Sequence, residues 1–129
     1  MQIRTTLSTL WVFLFLNFIF CDVFSLMYPP TIQQLASGTA IGGIEMTQGL
    51  LVGFAVVMEL GMVMVLAARF LPRRINRSAN ILVALLLIAV QVGSLFAGEN
   101  TLHYWFFSAV EITALAAIGW IALRWTRAE

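Results

Sequence analysis

Residues 47–77 read TQGLLVGFAVVMELGMVMVLAARFLPRRINR, and the fold turns on this stretch. It opens with an apolar run from Thr47 to Leu71, stopped by Pro72. A helix crossing a bilayer needs about 20 mostly apolar residues, and the run is long enough. One carboxyl, Glu59, interrupts it, among twelve Leu, Val or Phe residues. At roughly −0.3 to −0.6 kcal/mol each near the centre, those residues outweigh a penalty of about +3 kcal/mol for one acidic group. The run therefore inserts. Around its end stand Arg69, Arg73, Arg74 and Arg77, four of the seven arginines in a chain without lysine. A basic cluster of this kind marks a connection held in the cytoplasm.

Three further runs lie on either side. They cover about residues 7–27, before Pro29-Pro30, about 79–97, before Gly98, and about 102–123. Arg4 precedes the first, and Arg124 and Arg127 follow the last, while the two remaining connections carry no arginine. Four spans with both termini in the cytoplasm satisfy the positive-inside bias completely. The expectation is an all-α, integral membrane four-helix bundle, a single domain over residues 1–129. Interfacial aromatics agree: Trp11, Trp120 and Trp125 on the inner side, Tyr28, Tyr104 and Trp105 on the outer. The first run reads as an uncleaved span rather than a signal peptide. Val23-Phe24-Ser25 is a poor cleavage site, Asn17 and Asp22 interrupt the apolar run, and Phe20 is too bulky for lipoprotein processing at Cys21. In the outer loop, 28–46, Thr31-Ile32-Gln33-Gln34 matches a capping box and Gly38 suits a helix end, so a short interfacial helix fits there, as does a plain loop.

Composition excludes several function classes. The chain has 129 residues, 61% hydrophobic and 10% charged. That leaves too little polar surface for a soluble enzyme or a disordered chain. A net charge of +1 is far too small for a nucleic-acid partner. The lone Cys21 excludes an internal disulfide and a Cys-x-x-Cys redox pair.

In apolar spans the polar exceptions carry the information. Residues three, four, seven and eleven apart share a helix face. Asn80, Ala84, Leu87, Gln91, Ser94 and Gly98 form one stripe in the third span. In the fourth, Tyr104, Ser108 and Glu111 form another, continued by Leu115, Ile118 and Ala122. Gln48, Val52, Ala55 and Glu59 align in the second span, and Asn17, Cys21 and Ser25 in the first, with Asp22 beside them. One polar stripe per helix predicts a bundle with a partly polar interior. At about 1.5 Å per residue, Glu59 and Glu111 differ by only about 5 Å in depth, with Asn17 at a similar level. Asn17, Glu59 and Glu111 are expected to meet near the midplane, with Gln91, Asp22 and His103 progressively outward. An intramembrane carboxyl marks an ion or proton path, or a small substrate site. The bland reading is polar glue between helices, worth only about 0.6 kcal/mol per contact.

Gly49-x-x-x-Gly53, with Gly61 nearly in line, reads as a small-residue packing face, within the chain or toward a second copy. With His103 the sole histidine, two-histidine haem ligation and a Glu-x-x-His di-metal site are excluded. Met58, Met62 and Met64 read as packing. No nucleophile–base pair, phosphate loop or zinc motif is present, so neither an enzyme nor a cofactor is expected.

Ser8-Thr9-Leu10-Trp11 with Asn17 and Asp22, Met58-Glu59 followed by Arg69, Asn76-Arg77 with Asn80-Ile81, and His103-Tyr104 with Phe106-Phe107 and Glu111-Ile112 resemble a family of small bacterial four-span membrane proteins. That family is known only as a domain of unknown function. The resemblance covers almost the whole chain. In that family a proline often follows the Glu-Ile pair of the second span, whereas Glu59-Leu60 is followed here by Gly61, and Cys21 stands where a small apolar residue is usual. The resemblance implies a bacterial inner-membrane location. Small multidrug exporters and fluoride channels are also short four-span chains. The one-sided arginines argue against their antiparallel pairing, and the first span lacks the exporters' glutamate. Two function classes stand. One is a small transporter or proton-coupled module with a polar core. The other is a structural or accessory subunit, associating with a second copy or a membrane partner through small-residue faces.

Overall fold

The computed structural model describes residues 2–37, 47–96 and 100–126, all of whose regular elements are helical. The order is α1 (Ile3–Met27), α2 (Pro29–Ala36), α3 (Gln48–Phe70), α4 (Arg73–Leu95) and α5 (Leu102–Leu123). The four long helices are long and apolar enough to cross a membrane. With 22 to 25 residues each, they extend about 33–38 Å, against a hydrocarbon core of about 30 Å.

Local chemistry sets the ends. Thr47 and Thr101 cap α3 and α5, their hydroxyls accepting from the Leu50 and Tyr104 amides at 3.1 and 3.3 Å. The α3–α4 connection is only Leu71 and Pro72, and α4 starts at Arg73, six residues ahead of its apolar run. Arginines and asparagines therefore occupy its first turns. A short helix does lie in the connection between α1 and α3, but Pro29 begins it, where a missing N–H costs nothing. Thr31 consequently falls inside the helix rather than at its cap. Gly38 and Gly98, both expected at helix ends, lie outside the described residues.

The long helices form a ring in which α1 packs on α3 and α5, and α4 on α3 and α5. Neighbours run antiparallel: Ser8 near the start of α1 donates to the Val65 carbonyl near the end of α3, and Arg77 near the start of α4 reaches Ala122 at the end of α5. The two ends are built differently. Toward the arginines the centre is solid, with Leu7, Trp11, Leu14, Ala68, Leu115, Ile118 and Trp125 buried. Toward Tyr104 it is hollow and polar.

Candidate functional site

At the arginine end most buried polar groups are used in packing, while the buried Trp125 Nε1 has no hydrogen-bond partner. The Trp11 indole donates across the ring to Asn80 Oδ1 at 2.7 Å. Asn80 donates to the Asn76 carbonyl at 2.8 Å, and Asn76 to the Ala68 carbonyl at 2.8 Å. Arg4 donates to the Leu71 carbonyl. Arg77 donates to the Ala122 and Leu123 carbonyls at 3.0 and 2.8 Å. Helix C-termini leave carbonyls without intrahelical donors, and these side chains supply them. Trp11 and Trp125 are fully buried, while Trp120 is exposed. The Trp11 indole is held by Asn80 of α4, and the Arg4 guanidinium lies over the Trp125 ring at 5.3 Å.

At the other end lies a cavity of about 240 Å³, lined from all four long helices. Its polar wall is Asp22 of α1, Gln91 and Ser94 of α4, and Tyr104 and Glu111 of α5. Its apolar wall includes Phe18 of α1, with Phe54 and Met58 of α3. Gln91 donates to Ser108 Oγ at 2.7 Å, and Ser94 shares a 2.5 Å hydrogen bond with the Tyr104 hydroxyl. Glu111 is 1% exposed, yet its Oε2 has no hydrogen-bond partner. Asp22 is exposed, which puts one carboxyl at the rim and one at the base. Neither lysine, arginine nor histidine lines the cavity.

Three of the six expected core residues, Asp22, Gln91 and Glu111, therefore meet here. The other three do not line the cavity. His103 sits apart, sharing hydrogen bonds with Ser25 Oγ (3.1 Å) and Thr101 Oγ1 (2.9 Å). Asn17 is half-buried and donates to its own helix, to the Phe13 carbonyl at 2.8 Å. Glu59 is exposed, and among the described residues no hydrogen bond to it is present. The expected meeting of Asn17, Glu59 and Glu111 is not formed, because the stripe of α3 faces outward. The reason is Gly61: a Cβ there would overlap the Phe15 ring and come within 3.2 Å of Leu87 Cδ1. Close approach at Gly61 fixes that side of α3 inward, and Glu59, about 200° around the helix, points away. Gly49 and Gly53 are exposed as well, so among the three glycines only Gly61 packs within the chain.

Cys21, Ser94 and Tyr104 line the cavity too, and their positions on the polar stripes were the signal for them. Phe54 and Met58 gave no signal, since an apolar cavity wall and a packing face have the same residue types. Among the described residues no cluster of His, Cys, Asp and Glu could hold a metal ion. The model of DUF6326, a family of unknown function, matches residues 2–129. The chain belongs to the DUF6326 family. No curated protein and no solved structure matches it. DUF6326 membership accounts for nearly the whole chain and assigns no chemistry to its cavity.

Proposed function

We propose that this chain is a small proton-coupled membrane module, a transporter-like protein of a bacterial inner membrane, with Glu111 as its working group and the arginine end in the cytoplasm. The observation that carries the reading is the buried Glu111 carboxyl with an unpartnered Oε2 inside a cavity. An ionised carboxylate in hydrocarbon is costly unless matched, so this group carries a proton or faces a cation. Polar glue satisfies both partners, and an open carboxyl oxygen costs more to bury than the unpartnered Trp125 indole N–H at the other end of the bundle. The exposed Asp22 carboxyl at the rim gives a proton somewhere to go.

The test uses proteoliposomes with a pH-sensitive dye inside. Wild type is expected to pass protons down an imposed gradient, and Glu111→Gln to abolish this while remaining folded and monodisperse. Equal rates in the two proteins, or no flux through wild type, remove the reading.

A second reading rests on a different observation. Glu59 is exposed in mid-span on α3, with no hydrogen bond to it among the described residues. A lipid-facing carboxyl favours an associating surface, since a second copy offers it a partner.

A further inference from the structure

We propose that the cavity takes a small, singly charged organic cation with an apolar body, a protonated amine or its quaternary equivalent. This deepens the proton-coupled reading and rests on it. The charge follows from the lining. Two carboxyls, Asp22 and Glu111, face the space, with no basic side chain among its walls. An anion would meet like charge and find no cationic partner. A neutral polar solute would leave the Glu111 carboxyl in its present state, without competing for the position its proton holds.

The shape of the ligand follows from the opposite wall. Phe18 and Phe54 bring aromatic rings and Met58 a polarisable thioether. Aromatic faces attract organic cations, and thioethers adapt to irregular apolar groups. A bare inorganic cation would gain nothing from this wall, and its hydration shell would be poorly replaced, since the described residues offer no metal-binding cluster. Size is set by the 240 Å³ volume, the space of about eight waters at ~30 Å³ each. A single-ring amine fits that space. Gln91 is held by Ser108, and Ser94 by Tyr104, so the amide and the hydroxyls act as a fixed frame. The Glu111 Oε2 atom is left as the open acceptor.

The same carboxyl then serves two occupants. When the cation binds, the proton of Glu111 leaves through the rim at Asp22 to water, and the ammonium replaces it beside the carboxylate. When the cation departs, a proton returns. The charge within the cavity is conserved through the exchange; with no cation present Glu111 passes protons alone down a gradient, and a bound cation competes with that movement.

Benzylammonium and benzyl alcohol make a matched pair of probes: one ring, nearly the same size, charge present or absent. With detergent-solubilised wild type, calorimetry should show benzylammonium binding about 10- to 100-fold tighter than benzyl alcohol, the range expected for a charge-assisted hydrogen bond. Binding should weaken as the solution is acidified and should release protons to the buffer. Glu111→Gln should abolish the preference for the cation, and Asp22→Asn, at the exposed rim, should reduce it with no risk to packing. Leu82→Ala, on the outward face of α4, should leave it unchanged. Equal affinity for the alcohol, a preference that survives both carboxyl substitutions, or no binding of either probe to folded wild type overturns the cation assignment. The proton-coupled reading falls on a separate result, equal proton flux through wild type and Glu111→Gln liposomes containing no amine.

Discussion

Gly61 and Glu59 differ by two positions, and the contrast between them decides the inside of the bundle. The space a side chain would need at Gly61 is held by the Phe15 ring and by Leu87. That ring cannot swing clear easily, because it stacks on Trp11 at 6.4 Å and meets Phe18 edge-on at 5.2 Å. Gly61→Ala should therefore destabilise the protein by about 1–3 kcal/mol, the usual cost of overpacking. Gly53→Ala, with nothing within 4 Å, should be neutral or stabilising by up to about 1 kcal/mol through helix propensity. Thermal unfolding in detergent measures both, and equal midpoints would show that α1 and α3 do not approach as described. The proximity of Phe15 was invisible in the sequence, because nothing local to Gly61 names the residue opposite. The stripe through Ser108, Glu111, Leu115, Ile118 and Ala122 was legible, since helical spacing alone places those residues on one face. All five are buried.

Spacing tells which residues of an element share a face and is silent on where that face points. That is why the Gln48–Val52–Ala55–Glu59 stripe was assigned to the interior and lies outside. It also explains why Asn76 was missed: the surrounding arginines read as a connection, while the helix begins among them. The outward face of α3 has a consequence for association. A protonated carboxyl is both donor and acceptor, so two Glu59 groups related by a two-fold axis satisfy each other. In a Cys21→Ser background, Ala55→Cys, one turn from Glu59, should form a disulfide-linked dimer on mild oxidation of membranes. Leu82→Cys on α4 should not, and Glu59→Leu should lower the Ala55→Cys yield several-fold. The same weak band from both cysteine positions would leave α3 facing lipid alone.

For the whole molecule, the four apolar helices were fully legible, because length and hydropathy are properties of the chain itself. The cavity was half legible: its polar wall lies on stripes, and its apolar wall is made of ordinary packing residues. The proposed direction across the bilayer rests on the one-sided arginines. A reporter fused at Ser37 should read as external, and one inserted within Arg73–Arg77 as cytoplasmic. A cytoplasmic signal at Ser37 would overturn the expected orientation.

Those arginines also secure the structure mechanically. Among the described residues, every hydrogen bond from α3 and its C-cap to another helix falls between Val65 and Leu71: Ser8 donates to Val65, Asn76 to Ala68, Arg69 to Ser8, and Arg4 to Leu71. From Gln48 to Met64 no hydrogen bond to another helix is present among the described residues. Such a helix behaves as a cantilever, clamped at one end and free to deflect at the other. Its free half carries Phe54 and Met58, one wall of the cavity. An occupant slightly too large is therefore accommodated by bending this beam, which costs packing against neighbours and breaks no bond. The clamped end keeps its shape, and the chamber widens like the jaws of a peg.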